Sequence, residues 1–154
     1  LDVGPLLRGE KNRITFDYML APIPMDRVRF KDDAHVVGEI TEPAIRTGDL
    51  LIAASGSGES IFPKEIAKKA KGPGAKVAMI GSNRQSTLAS VADVMVRVPT
   101  NTKMKCADEI PSAQIMTSLF EQFLLLYGDV IARMIVARQS IDMAGLWEHH
   151  ANLE

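Results

Sequence analysis

Apolar positions from about residue 49 onward alternate between short continuous runs and helical periodicity. Residues 49–54 form an apolar run that ends at Ser55 and Gly56, as expected of a strand covered on both faces. Residues 60–71 carry apolar side chains at helical spacing, and Pro63 falls in the first turn, where proline is tolerated. A strand, a short helix and another strand are predicted at 76–80, 86–92 and 94–98. This alternation with short connections predicts a parallel sheet with right-handed crossovers.

The later part of the chain is dominated by one apolar stripe at helical spacing. Residues 101–111 are polar and irregular and are predicted to form a loop, and one long helix is predicted from residue 112 to about 139 because no proline interrupts it. The stripe consists of Ile115, Leu119, Phe123, Leu126, Val130, Met134 and Ala137. Such a stripe is typical of a core or of a subunit interface. A last helix is predicted from residue 140 to about 149.

The first third gives a weaker pattern. Residues 13–16, 27–30 and 35–37 are candidates for short strands, and Pro22 and Pro24 interrupt any helix between the first two.

A glycine- and serine-rich segment joins the strand at 49–54 to the helix that follows. It consists of Ser55, Gly56, Ser57, Gly58, Glu59 and Ser60 and is called the serine loop below. The segment follows the carboxyl end of a predicted parallel strand, where α/β proteins bind ligands. Free backbone amides, three hydroxyls and the dipole of the next helix suit a phosphate. The alternative is an ordinary strand-to-helix turn that Ser60 caps.

The serine loop departs from two common nucleotide-binding motifs. It contains no lysine, so it is not a P-loop that grips a nucleoside triphosphate. It also lacks the third glycine of a dinucleotide-binding fingerprint, which argues against a Rossmann domain.

Composition limits the remaining possibilities. The 154 residues suffice for one domain, and a formal net charge of −1 gives no electrostatic reason to expect a nucleic-acid or anionic membrane partner. Cys106 is the only cysteine, which fits a reducing compartment, and no spacing of Cys106 with His35, His149 and His150 predicts a metal site. We find no leader peptide and no apolar run that could span a bilayer, so we expect a cytoplasmic protein.

Several segments resemble a known family. Residues 48–60 (GDLLIAASGSGES) are similar to the phosphate-binding segment of sugar isomerase (SIS) domain proteins. Residues 42–45 (EPAI), 81–89 (GSNRQSTLA) and 118–122 (SLFEQ) resemble "TPAI", "TSNPDSPLA" and "SLFEQ" of the 6-phospho-3-hexuloisomerases within that family. Residues 146–154, with HANLE at the end, resemble their "LW…RHANLE". The resemblance covers residues 34–154.

The resemblance implies a flavodoxin-like three-layer α/β domain with a parallel sheet and long C-terminal helices. It also implies interconversion of 3-hexulose 6-phosphate and fructose 6-phosphate without a metal or organic cofactor, in formaldehyde fixation or pentose phosphate supply. Two alternatives stay open, a non-catalytic phosphosugar sensor and an isomerase of another phosphosugar. No DNA-binding segment is recognisable, which argues against a complete regulator. We expect a homodimer or homotetramer.

Two residues are candidates for proton transfer. Glu121 shares one face of the predicted long helix with the polar residues Gln114, Thr117 and Ser118. A partly desolvated carboxylate there suits a catalytic base, although a solvated helix face has the same spacing. The match to the family's "SLFEQ" favours the base. His150 matches the family's HANLE histidine and can assist, whereas an exposed histidine without function is the alternative.

Some candidates have a stronger structural alternative. Glu59 either contacts sugar hydroxyls or stabilises the helix that follows. His35 precedes a predicted strand and is interpreted as structural.

The first 33 residues depart from the family pattern. SIS isomerases of this kind carry an earlier "GAGRSG" loop after the first strand and a helix that ends near "MRLMHLG". Residues 10–37 contain no glycine, and neither segment is present. We therefore treat residues 1–154 as a single SIS domain in which residues 1–33 are a divergent or incomplete first βα unit. We expect residues before about Ala34 to be the least regular part.

Overall fold

The computed structural model describes residues 14–17, 34–40, 42–138 and 140–149. Its strands are β1 (Ile14–Asp17), β2 (Ala34–Val36), β3 (Leu50–Ala54), β4 (Lys76–Gly81) and β5 (Val94–Arg97). Its α-helices are α1 (Ile61–Lys71), α2 (Thr87–Val91) and α3 (Ser118–Arg138), and a short 3₁₀-helix follows at Gly145–His149.

The five described strands form one parallel sheet in the order β2-β1-β3-β4-β5. Strand β1 lies between β2 and β3, with Ile14 opposite Ala34 on one side and Leu50 on the other. This order is that of flavodoxin-like folds, in which ligands bind beyond the carboxyl ends of the strands, beside the point where the order reverses. The predicted parallel sheet is confirmed.

Side chains of successive strand residues point to opposite faces of the sheet, and helices cover both faces. One core packs the strands against α1 and α2, and its buried members are Leu51, Ala53, Ala67, Ala70, Ala75, Val77, Met79 and Leu88. The other core packs the strands against α3, and its buried members are Ile80, Val98 and Phe120. The predicted three-layer α/β fold is confirmed.

The predicted elements between residues 49 and 98 are confirmed to within two residues at each end. In the first third, the candidate strands at 13–16 and 35–37 correspond to β1 and β2. The candidate strand at 27–30 lies outside the described residues. Most of the residues before Ala34, which we expected to be the least regular part, also lie outside the described residues. The exception is β1, which is a regular strand.

The prediction that the long helix begins at residue 112 is wrong, because α3 begins at Ser118. Met116 has a φ of 51°, a left-handed conformation that a right-handed helix cannot contain. The side-chain amide of Asn101 donates to the Met116 carbonyl at 3.1 Å and so fixes this turn from outside the helix. The last helix is also shorter than predicted and is a single stretch of 3₁₀-helix.

The apolar stripe predicted on the long helix packs in the core of this chain only in part. Phe120 packs against the sheet with the partly buried Phe123, Leu124 and Tyr127. Leu126, Val130 and Met134 are 65%, 53% and 61% exposed. The helix therefore contacts the sheet mainly through its first three turns and leaves an apolar surface uncovered.

A charged network joins α1 to the amino ends of β4 and β5. Asp93 accepts hydrogen bonds from Lys71 Nζ at 2.8 Å, from Lys76 Nζ at 3.3 Å and from the Val77 amide at 2.8 Å. Burial acts to raise the pKa of Asp93, but these hydrogen bonds outweigh burial and lower the pKa to about 2. No helix within the described residues is both long enough and apolar enough to cross a membrane.

We predict that Gly58→Ala lowers the free energy of unfolding by about 2–4 kcal/mol, because Gly58 has a φ of +67° and an added Cβ would overlap the Ser86 side chain. Gly48→Ala is the matched control, since Gly48 has a φ of +93° but open space around it. The control should lower the free energy of unfolding by only about 1 kcal/mol, because only its backbone conformation is unfavourable for alanine. Urea denaturation measures both, and equal losses would contradict the assigned packing.

Candidate active site

A cavity of about 420 Å³ opens at the carboxyl edge of the sheet. The serine loop after β3, the loop after β5 and the first turns of α3 surround it. Its polar and charged lining residues are Ser55, Ser57, Ser60, Asn101, Thr102, Lys103, Thr117 and Glu121. The fold therefore brings the predicted phosphate-binding serines and the predicted base together around one space.

The serine loop is held mainly by its own hydroxyls and by β4. The Gly58 amide donates to Ser55 Oγ at 3.1 Å, and the Glu59 amide donates to Ser57 Oγ at 3.2 Å. The Ser55 amide donates to the Ile80 carbonyl at 2.9 Å, which continues the ladder between β3 and β4. These bonds fix the turn before any ligand binds.

Several backbone amides of the loop are not used by these bonds. The amides of Gly56, Ser57 and Ser60 have no hydrogen-bond partner among the described residues. Ser60 occupies the N-cap position of α1, but its side chain makes no capping hydrogen bond and lies 3.3 Å from Ser55 Oγ instead. The capping hydrogen bond that the alternative interpretation expects from Ser60 is therefore absent. Uncapped first-turn amides at a helix N-terminus attract anions.

Glu121 lies in the first turn of α3 and is half-buried. Its Oε1 accepts a hydrogen bond from Thr117 Oγ1 at 3.0 Å, and its amide donates to the Thr117 carbonyl at 3.1 Å. A carboxylate at this position is favoured by the dipole of the 21-residue helix. The carboxylate is thus held by Thr117, and Glu121 lines the cavity.

Comparison with known proteins places this arrangement in a family. The chain is 38% identical over 122 residues to 3-hexulose-6-phosphate isomerase of Bacillus subtilis (strain 168), an alignment that covers 79% of this chain and 66% of that one. It is 38% identical over 130 residues to 3-hexulose-6-phosphate isomerase of Mycobacterium gastri, covering 84% and 65%. The chain belongs to the sugar isomerase (SIS) family.

The structural comparison agrees on the fold of this SIS chain. A hypothetical protein of Methanococcus jannaschii, whose crystal structure is described as inferring a function of 3-hexulose-6-phosphate isomerase, superposes with a TM-score of 0.77. The two are 22% identical, and the match covers 97% of this chain and 82% of that one. No family model matches the sequence. The SIS chain spans slightly less than two thirds of the length of the two curated relatives.

Glu59 does not line the cavity of the SIS chain. Its carboxylate accepts hydrogen bonds from the Thr87 amide at 2.6 Å and from Thr87 Oγ1 at 2.9 Å. These bonds lower its pKa, and Lys64 at 3.7 Å lowers it further. Glu59 therefore stabilises the start of α2 and links it to the serine loop, which favours a structural role over contact with sugar hydroxyls.

Two glycines of the serine loop and two histidines complete the residues that the sequence singled out. Gly58 supports the loop conformation rather than lining the cavity, whereas Gly56 lines it. His35 Nδ1 lies 3.9 Å from Glu39 Oε2, which agrees with a structural role. His150 lies outside the described residues. No cluster of three metal-ligating side chains occurs in the part of the chain that the structure describes.

Asn101, Thr102 and Lys103 also line the cavity, although the sequence pattern predicted only an irregular loop there. Their position after the carboxyl end of β5 is the available signal, because loops at that edge of a parallel sheet bind ligands. Asn101 Oδ1 is buried without a hydrogen-bond partner among the described residues. It is therefore an acceptor available to a ligand hydroxyl or a water.

Proposed function

We propose that this SIS chain is an isomerase that interconverts 3-hexulose 6-phosphate and fructose 6-phosphate. The observation that carries the proposal is that the serine loop, with its unused backbone amides, and Glu121, held by Thr117, line one cavity. The two isomerases to which the chain is 38% identical support the choice of substrate.

The serine loop is proposed to bind the phosphate. Free amides of the loop and the hydroxyls of Ser55, Ser57 and Ser60 supply hydrogen bonds, and the dipole of α1 adds a favourable potential. The phosphate does not react. Its binding energy instead positions the carbons that do, which lowers the entropic part of the barrier.

The reaction moves a carbonyl from C3 to C2 through an enediolate. Glu121 is proposed to take the proton from C2 of the 3-keto sugar, so that the electron pair of the C–H bond forms the C2–C3 double bond. The same group returns a proton to C3 of the intermediate, while the O2 hydroxyl loses its proton and O3 gains one. Thr117 keeps the Glu121 carboxylate in one orientation through their hydrogen bond.

His150 is proposed to assist in moving the proton between the two oxygens. The similarity of the C-terminal HANLE segment to the family pattern supports this role, together with the ability of an imidazole to titrate near neutral pH. The proposal extends to a cytoplasmic setting and to formaldehyde fixation or pentose phosphate supply, as the family resemblance implies.

We predict that Glu121→Gln lowers turnover at least about 10²-fold with little change in sugar phosphate affinity, because it removes the base and keeps the shape. A coupled assay that follows fructose 6-phosphate formation from 3-hexulose 6-phosphate measures turnover. Run in D₂O, the same reaction should incorporate deuterium at C3 of the product.

Asp129→Asn is the matched control, since it removes an exposed carboxylate from the same helix. It should leave turnover unchanged. Near-normal turnover of Glu121→Gln would move the base role to another group. Tight binding of fructose 6-phosphate by a wild-type chain that shows no turnover would instead favour a phosphosugar sensor.

We predict that Ser57→Ala weakens fructose 6-phosphate binding by roughly 1–3 kcal/mol, as expected when a charged partner loses a hydrogen bond. Calorimetry measures the affinity. Ser90→Ala is the control, since Ser90 is exposed and its hydroxyl donates to the Thr87 carbonyl outside the cavity. Unchanged affinity of Ser57→Ala would remove the serine loop from the phosphate site.

We also propose a homo-oligomer, a dimer or a tetramer, that covers the exposed side of α3. Leu126, Val130 and Met134 follow each other at four-residue spacing and form an apolar strip on that helix, and Trp147 near the end of the described chain is also exposed. An isologous contact between two such strips would bury them.

We predict that light scattering at micromolar concentration finds the wild-type chain as a dimer or tetramer and Val130→Glu as a smaller species. The introduced charge would be buried without a partner in the contact. Asp129→Lys, a change at an exposed polar position of the same helix, is the control. A wild-type monomer at that concentration would contradict the proposal.

A further inference from the structure

The serine loop supplies hydrogen bonds but no positive side chain to a phosphate. Residues 55–60 contain no lysine or arginine. Among the described residues that line the cavity, two are charged: Glu121, assigned above as the base, and Lys103. A phosphate dianion beside a carboxylate is repelled, so a nearby cation contributes to holding both in one cavity.

Lys103 lies beside the serine loop although it belongs to the loop after β5. The methyl carbon of its neighbour Thr102 lies 3.4 Å from the position that a Cβ on Gly56 would occupy. The loop after β5 therefore lies directly beside the serine loop at Gly56. Lys103 lines the same cavity as Gly56 and Ser57, whose backbone amides have no hydrogen-bond partner among the described residues.

The carboxylate of Glu109 holds the loop in this position. It accepts hydrogen bonds from the Thr102 amide at 3.0 Å and from Thr102 Oγ1 at 2.5 Å. Thr102 in turn closes a tight turn, because its Oγ1 accepts from the Met104 amide at 3.1 Å and its carbonyl accepts from the Lys105 amide at 3.2 Å. Lys103 lies inside that turn, so its backbone cannot move independently of Glu109.

Two other cations near this edge of the sheet are already paired, and neither Arg84 after β4 nor Lys105 after β5 lines the cavity. Lys64 lies 3.7 Å from Glu59, and Arg97 donates to the Ser82 carbonyl and to Asp108. Lys103 forms no ion pair with a described residue and is exposed to solvent as well as lining the cavity. Its ammonium group is thus available to a ligand anion.

We propose that Lys103 binds the phosphate of the substrate as its counter-cation, and that Glu109 is the positioning residue that keeps Lys103 there. This inference rests on the proposed function for the identity of the sugar. Its chemical content, a phosphate monoester bound by the serine loop and Lys103 together, holds for any sugar phosphate.

The first test is the affinity of Lys103→Met for fructose 6-phosphate, measured by calorimetry at low and high salt. Methionine keeps the length and removes the charge. We expect affinity to fall about tenfold at low salt, as for the loss of a charge-assisted contact, with a smaller difference at high salt because salt screens the charge in the wild type. Lys105→Met, in the same turn but not lining the cavity, should bind like the wild type.

The second test is a double-mutant cycle between positions 103 and 109. Glu109→Gln should weaken binding about fivefold when Lys103 is present and have no effect in the Lys103→Met background, because Glu109 acts through Lys103. Equal losses in both backgrounds would overturn the positioning role. Unchanged affinity of Lys103→Met, or a loss confined to turnover with intact affinity, would overturn the phosphate role.

These measurements separate the two proposals, because they read affinity and not turnover. A chain that loses affinity in Lys103→Met but never converts 3-hexulose 6-phosphate would support the counter-cation and contradict the isomerase. Normal conversion of 3-hexulose 6-phosphate, with unchanged affinity in Lys103→Met, would support the isomerase and contradict the counter-cation.

Discussion

Backbone hydrogen bonds between the serine loop and the end of β4 hold the site together. The Gly56 carbonyl accepts from the amides of Ser82 and Asn83 at 2.9 and 3.3 Å, while the Ser55 amide donates to β4. Gly81 has no room for a side chain, because a Cβ would meet the Ser55 carbonyl. The loop is thus fixed through its carbonyls and its first amide, which leaves the amides of Gly56 and Ser57 free for an anion.

The rest of the cavity follows from what packs onto this loop. Thr102 and the Phe120 ring both lie next to Gly56, so the loop after β5 and helix α3 meet the serine loop at the same residue. Phe120 anchors α3 to the sheet, and Glu121, the next residue, lines the cavity. A buried aromatic side chain therefore sets the position of the proposed base relative to the proposed phosphate site.

Local sequence patterns were sufficient for the elements whose structure is decided locally. A continuous apolar run that ends in serine and glycine predicts the buried strand β3 and the loop after it. The match to a family motif singled out Glu121 as a candidate base. The start of α3 could not be predicted, because it depends on the hydrogen bond between Asn101 and Met116, fifteen residues apart. The place of Lys103 in the cavity could not be predicted either. It depends on the hydrogen bonds between Thr102 and Glu109, within a loop that has no periodic pattern.

The central claim is that the serine loop and Glu121 form the two ends of one sugar phosphate site. A crystal structure of the chain with fructose 6-phosphate tests this claim most directly. We expect the phosphate oxygens to lie at hydrogen-bond distance from the amides and hydroxyls of the serine loop, with C2 and C3 of the sugar towards Glu121. A phosphate bound elsewhere, or a sugar that extends away from Glu121, would contradict the account.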